Sequence, residues 1–231
     1  IDALADIGTA LELRPTFGIG ILTVLMRIEG RVVGVLANNP AHLGGAIDSD
    51  SSDKASRFIQ LCDAYDIPIV SLCDTPGFMV GPDAEQTAQV RHFGRMFVTA
   101  ASITVPWITI VLRKGYGLGA QAMAGGSFHG NTMTVSWPTG EFGGMGLEGA
   151  VRLGYRKELE AIADETERAA LESKLIASAY ERGNALNMAS HVEIDDVIDP
   201  AETRIRILSI IGKGTSWRQR MGKKRPMVDT W

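Results

Sequence analysis

Residues 107–126 read Trp-Ile-Thr-Ile-Val-Leu-Arg-Lys-Gly-Tyr-Gly-Leu-Gly-Ala-Gln-Ala-Met-Ala-Gly-Gly, and this stretch limits the possible folds more than any other. Its first six residues form an apolar, β-branched run opened by Pro106, the pattern of a buried strand. Arg113 and Lys114 follow, then glycines at 115, 117 and 119, then an Ala-Gln-Ala-Met run that favours helix. A strand that turns through glycines into a helix leaves the first helical amides without partners four residues back. Those amides, the helix dipole and the two basic side chains make a seat for an anion.

The flanking pattern supplies the rest of an α/β core. Residues 19–27 and 32–37 are β-rich and separated by Glu29-Gly30-Arg31, which predicts an antiparallel hairpin. A loop over 38–52 ends in a helix cap, and Ala55, Phe58, Ile59, Cys62 and Tyr65 recur at helical spacing. Residues 68–73 predict a buried strand that leads into Asp74-Thr75-Pro76-Gly77-Phe78. A helix from about 84 shows Val90, Phe93, Phe97 and Ala100 on one face. Residues 132–137 predict a further strand, closed by Pro138 and a glycine-dense loop through Gly149. Beyond it the chain reads as helical: 157–162, a helix capped near Asp164 and Glu167 that runs to Arg182 and Gly183, and 201–211 between Asp199-Pro200 and Gly212. Helical crossovers between strands imply largely parallel pairing after the hairpin. The expected division is a lead-in over 1–16, a domain over 17–212 and a basic tail over 213–231.

Composition removes several classes. Hydrophobic residues at 45% and charged residues at 22% are globular values, which argues against disorder and coiled coil. A net charge of −4 argues against a dedicated nucleic-acid binder. Lys213, Arg218, Arg220, Lys223, Lys224 and Arg225 crowd the C-terminus and read as a solvated tail or a subunit contact. Cys62 and Cys73 fall inside a helix and a strand pattern and read as buried thiols of a reducing compartment. The longest apolar run, 105–112, is too short to cross a bilayer. The chain opens Ile-Asp-Ala, an expectation of a fragment or one half of something longer.

Several chemical motifs are decoys on their own context. Gly144-Met-Gly-Leu-Glu-Gly149 matches a dinucleotide pattern, but the acidic residue it needs would fall in the helix cap at 164–167, so it reads as tight glycine packing. Ser127 stands between Gly125 and His129 and so fails the G-x-S-x-G pattern of a nucleophile elbow. His42, His92, His129 and His191 stand singly, with no local ligand spacing for a metal. Glu141 stands in a glycine-rich loop where a catalytic acid or base could be held, and no partner carboxylate stands at a matching strand end. What remains is main-chain chemistry at two turns, Gly77-Phe78 and Leu118-Gly119, with Arg113 beside them.

Gly44-Gly-Ala-Ile-Asp48, the 54–64 helix, Asp74-Thr-Pro-Gly-Phe78, Arg113-Lys-Gly-Tyr-Gly117 and Trp137-Pro-Thr139 together resemble, in order, the C-terminal half of the carboxyltransferase component of biotin-dependent acyl-CoA carboxylases. The propionyl-, acetyl- and methylcrotonyl-CoA carboxylases make up that family, and the resemblance runs over about 15–212. It implies a crotonase-like spiral of ββα units with a helical C-terminal appendage. It implies transfer of the carboxyl group of carboxybiotin to the α-carbon of a short acyl-CoA, of the acetyl or propionyl class, at a site shared with a missing N-terminal half. Biotin carried by a partner, a biotin carboxylase, a carrier subunit, an N-terminal transferase half and a homo-oligomeric assembly follow from the same resemblance, as does a bacterial cytoplasm or mitochondrial matrix.

The resemblance also assigns residues. It places the ureido oxyanion on the amides of Leu118 and Gly119, Arg113 against the transferred carboxylate, and Gly77, Phe78, Tyr116 and Gly117 around the biotin. Leu118 departs from the glycine common in the family, so its side chain has to point away. Gln121 replaces an acidic residue that in some relatives influences acyl choice. The absence of a strong side-chain base fits a reaction in which biotin is the base. Charge on oxygen is then what needs stabilising, and a single preorganised donor contributes roughly 3–4 kcal/mol to that in other enzymes. Two other readings stay open: a crotonase-type hydratase or isomerase using Glu141, and a non-catalytic assembly domain that docks partners through its helical C-terminus.

Overall fold

The computed structural model describes residues 1–212; the basic tail at 213–231 lies outside the described residues. One mixed sheet carries the fold in the order β1-β2-β3-β4-β5-β6-β8, with β7 beside β5. Strands β1 (Leu11–Glu12), β2 (Ile21–Ile28) and β3 (Arg31–Asn38) are antiparallel neighbours. Strands β4 (Ile69–Thr75), β5 (Trp107–Tyr116), β6 (Met133–Ser136) and β8 (Asp196–Val197) continue in parallel, and β7 (Glu141–Gly143) pairs in parallel with the end of β5. The hairpin and the parallel crossovers appear as the sequence pattern predicts.

Helix α1 (Ser49–Ala64) shows how the pattern becomes packing. Its cap, Asp48, accepts the Ser51 amide at 2.8 Å, and Ala55, Phe58, Ile59 and Cys62 on one face are buried against the sheet. Burying a side chain of that size contributes about 1.5–3 kcal/mol. That face shares a core with α3 (Gln89–Ala100) and α4 (Gly117–Met123). The opposite sheet face packs on α9 (Thr203–Ile211), through Ile207 and Ile211.

Three local expectations change. The helix expected from about 84 is two, α2 (Pro82–Gln86) and α3, broken where Ala88 takes φ +55°. The break lets Gln89 turn inward, where its side-chain amide is buried and donates to the Ile47 carbonyl at 2.9 Å. The glycine-dense stretch after Pro138 contains β7 and α5 (Leu147–Gly154). For the same reason β5 runs four residues beyond Leu112: Lys114, Gly115 and Tyr116 pair with Glu141, Phe142 and Gly143. The C-terminal part continues through α6 (Arg156–Glu160), α7 (Glu165–Gly183) and α8 (Ala185–Ser190). Asp164 caps α7 by accepting the Glu167 amide at 2.8 Å.

The first sixteen residues belong to this body. Leu11 and Glu12 pair with Leu25 and Val24, and Ile1, Leu4 and Ala5 pack on the α9 side of the sheet. Asp6 accepts the Gly30 and Glu29 amides at 2.7 and 3.0 Å and pairs with Arg204 at 2.6 Å. The Gly30 amide and the Arg204 guanidinium hold the Asp6 carboxyl down at about 2, below its ordinary 3.8. A carboxyl group whose pKa falls on folding adds stability above pH about 4 and gives it up as pH drops toward 2. Wild type is therefore expected to resist urea better than Asp6→Asn at neutral pH, with the gap closing between about pH 4 and pH 2. A gap that stays constant over that range would contradict this role.

Candidate active site

The two amide-rich turns that the sequence singles out lie far apart in the chain, and the fold puts them in contact. Strand β4 pairs with β5 from Ile69↔Trp107 to Cys73↔Val111, then shifts register so that Thr75 lies opposite Gly115. Both strands therefore end on the same side of the sheet. The carboxyl ends of parallel strands are where open α/β sheets bind ligands. At that edge an added Cβ on Gly119 would lie 2.7 Å from the Cα and carbonyl carbon of Gly77 and 2.9 Å from the Phe78 nitrogen. Only a residue with no side chain fits there without displacement.

Helix α4 starts directly from β5. Tyr116 is its N-cap residue, in extended conformation, and no side chain caps the helix. Leu118 and Gly119 are the second and third residues of that first turn, so their N–H groups have no acceptor within the helix. The Leu118 side chain is exposed. Gly117 takes φ +60°, and a Cβ there would sit 2.8 Å from the Gly144 carbonyl oxygen. The 144–149 glycine run thus packs against the turn, with Gly146 opening α5, and Asp164, the acid it would have needed, caps α7.

The Gly77 turn is pinned from both sides. Thr75 Oγ1 accepts the Gly77 amide at 3.1 Å, the Gly77 carbonyl accepts Ile47 N at 3.0 Å, and Met79 N donates to the Ile47 carbonyl at 2.9 Å. Phe78 stacks on Phe93 at 4.3 Å between ring centres. Gly45, at φ +94°, presses so closely on the Asp74 carbonyl that a Cβ would overlap it, and Lys114 Nζ donates to the Gly44 carbonyl.

Arg113 emerges in an ion pair. Its Nε and Nη2 donate to the two carboxylate oxygens of Asp74 at 3.3 and 3.1 Å, and the Lys114 amide donates to the same carboxylate at 3.2 Å. Asp74 is nearly buried and its own amide donates to Asn38 Oδ1 at 3.0 Å, whereas the Arg113 side chain is 53% exposed. The side-chain hydrogen bond and the charge of Asp74 raise the Arg113 pKa further. The fork keeps donors on Nη1 beyond those given to Asp74. Sequence reasoning did not assign Asp74 this role; the available signal was an acidic residue directly after a buried strand.

The remaining candidates separate. Tyr116 is buried and donates its hydroxyl to Glu141 Oε2 at 2.7 Å. Gln121 is exposed, farther along α4. His42, His92 and His129 each contact one carboxylate, of Asp48, Asp53 and Glu193, at 3.1, 2.8 and 3.2 Å. Among the described residues no group of three His, Cys, Asp or Glu side chains is placed to hold a metal ion. Cys62 and Cys73 are buried free thiols, and burial pushes the Cys73 pKa up to about 12. No helix among the described residues is long and apolar enough to cross a membrane.

With this geometry in place, comparison with known proteins is informative. A family model described as the carboxyl transferase domain matches residues 1–226. The chain is 37% identical over 229 residues to the methylmalonyl-CoA carboxyltransferase 12S subunit of Propionibacterium freudenreichii subsp. shermanii, covering 97% of this chain and 42% of that subunit. The crystal structure of a transcarboxylase 12S with hydrolysed methylmalonyl-coenzyme A superposes with a TM-score of 0.84 at 34% identity, over 100% of this chain and 44% of that one. A single-chain, multi-domain long-chain acyl-CoA carboxylase superposes at 0.81 with 57% identity, over 90% of this chain and 20% of that one. The chain spans less than half the length of these relatives.

Because the packing at Gly45 needs a left-handed backbone and leaves no room for a methyl group, Gly45→Ala is expected to cost about 2 kcal/mol or more in urea denaturation. A variant as stable as wild type would show that the loop at 44–48 is not clamped against Asp74.

Proposed function

The chain belongs to the carboxyl transferase domain family, and from that premise we propose that it is the biotin-side half of an acyl-CoA carboxyltransferase. The observation that carries the reading is the uncapped first turn of α4, held against the Gly77–Phe78 backbone at the carboxyl ends of β4 and β5. Two main-chain donors with no acceptor inside the helix, no Cβ on Gly119 and an exposed Leu118 side chain suit a flat cyclic urea better than a bulky ligand.

When bound, biotin supplies both the carboxyl group and the base for the acyl α-carbon. The chain's own residues do the electrostatic work. The N–H groups of Leu118 and Gly119 would hold the ureido oxygen and stabilise negative charge on it. Each such donor, fixed beforehand, stabilises developing charge by roughly 3–4 kcal/mol. The remaining Arg113 donors would hold the transferred carboxylate, while Asp74 fixes the plane of the guanidinium. Gly77, Phe78, Tyr116 and Gly117 form the wall around the ring. Glu141 is already engaged by Tyr116, which weighs against its use as the acid–base group of a hydratase.

The whole enzyme is expected to need a second transferase half for acyl-CoA, a biotin carboxylase and a biotin carrier. A relative's crystal structure is described as a hexamer, so a homo-oligomer of this chain's enzyme is part of the proposal. A cytoplasmic or matrix location goes with it. Among substrates, a short acyl-CoA is one class; the 57% identity to a long-chain acyl-CoA carboxylase supports testing long acyl chains beside it.

The test is transfer of the carboxyl group from a carboxylated acyl-CoA to free biotin by the complete enzyme, with acyl chains of both lengths. Turnover is expected, and a folded, assembled enzyme that gives none would remove the proposal. In the same assay Arg113→Ala is expected to lower kcat by about 10²-fold. Arg113→Lys should restore little, because an ammonium cannot hold Asp74 and a second carboxylate through one planar fork. An unchanged rate in both variants would make Arg113 a structural residue only.

A further inference from the structure

We propose that Tyr116 and Glu141 form a positioning pair that aims the amides of Leu118 and Gly119. This role rests on the carboxyl-transfer reading of that turn and adds two residues to it. Helix α4 is only seven residues long and has no side-chain cap, so its first turn is held by what packs against it: Gly119 by the Gly77–Phe78 backbone, Gly117 by the Gly144 carbonyl, and Tyr116 by its bond to Glu141. Tyr116 is the joint between strand and helix, at once the last residue of β5 and the N-cap residue of α4, so its position bears directly on where the next amides point.

Tyr116 is fixed by its side chain as well as by its backbone. The ring is 4% exposed, and its hydroxyl donates to Glu141 Oε2 at 2.7 Å. Glu141 is a firm acceptor because its backbone is tied on two sides. It opens β7 opposite Lys114, and it forms a bridge with Asn184 at the start of α8. The hydrogen bond therefore closes a loop of fixed parts, from β5 through the ring to β7 and back along the β5–β7 ladder. Rotation of the strand end, which would swing the α4 amides, has to break it. Burial, together with Glu141, raises the phenol pKa, so the hydroxyl remains a donor at all working pH values.

Asp74 performs the matching task upstream, where it accepts the Lys114 amide and the Arg113 fork. The turn is thus held between two carboxylates, Asp74 on the β4 side and Glu141 on the β7 side. This gives the carboxylate and the phenol beside the site a role other than proton transfer.

The experiment compares Tyr116→Phe, Glu141→Ala and Glu141→Gln in the complete enzyme by steady-state kinetics, thermal melting and crystallography. Tyr116→Phe keeps the ring and its packing, so it is the variant least exposed to folding failure. Loss of the bond, in Tyr116→Phe or Glu141→Ala, is expected to lower kcat by about tenfold with KM for the acyl-CoA within about twofold, since small misplacements of donors cost rate before binding. Glu141→Gln retains an acceptor and should stay within about threefold of wild type. The double variant should be no worse than either single one, as for two parts of one contact. The crystal structures should show the Leu118 and Gly119 nitrogens displaced by about 0.5 Å or more when the bond is lost.

Inactive Glu141→Gln beside active Tyr116→Phe would overturn the proposal in favour of proton transfer by Glu141. Lower melting temperatures with unmoved amides and unchanged kcat would reduce the pair to a structural contact. If the wild-type enzyme transfers no carboxyl group, the functional reading fails, and the displacement of the amides still decides whether the pair aims them.

Discussion

The structure depends on one close approach between main chains. Gly119, in the first turn of α4, rests against the backbone of Gly77 and Phe78 with no space for a Cβ. That contact brings the exit of β4 to the exit of β5, although the two turns are more than thirty residues apart in sequence, a loop-closure cost that a packed sheet has to offset. The register shift between Cys73 and Thr75 is the local adjustment that allows it. With the two exits joined, the α4 amides lie where parallel strands end, and the rest of the site is built around them.

Electrostatics around the turn follow one plan: each charged side chain has a structural partner, and the first amides of α4 have no acceptor within the helix. Asp74 is nearly buried, and it accepts from Arg113 and from the Lys114 amide. Lys114 donates to the Gly44 carbonyl, and Glu141 accepts from Tyr116. A buried carboxylate without such partners would carry a desolvation cost of several kcal/mol. With partners, it becomes a brace. Arg113 alone combines a fixed orientation with substantial exposure, which suits a guanidinium that serves two anions.

Much of this was legible in residue types. Residues 107–112 announced a strand and residues 120–123 a helix, because β-branched periodicity and an alanine-rich run are local signals. Asp164 announced a helix cap for the same reason, whereas the cap expected at the end of the 38–52 loop is Asp48, four residues earlier than that end. The motif order at 44–48, 74–78, 113–117 and 137–139 pointed to the family that the whole-chain match supports. What stayed hidden was nonlocal. Nothing near Asp74 says that Arg113 is its partner, and nothing near Gly144 says that its carbonyl lies over Gly117. The glycine-dense stretch after Pro138 looked like loop because β7 is three residues long and takes its stability from the β5 ladder. The break at Ala88 was likewise invisible, since it serves a buried hydrogen bond from Gln89 to a carbonyl forty-two residues away.

The central claim is that two backbone amides, and no side-chain base, receive the negative oxygen of the cofactor. Its most direct measurement is a crystal structure of the complete enzyme with biotin bound. The account predicts the ureido oxygen within hydrogen-bond distance, roughly 2.7–3.1 Å, of both the Leu118 and Gly119 nitrogens. A ureido oxygen held by a side chain elsewhere, or amides at 118 and 119 bonded to the protein's own carbonyls, would contradict it.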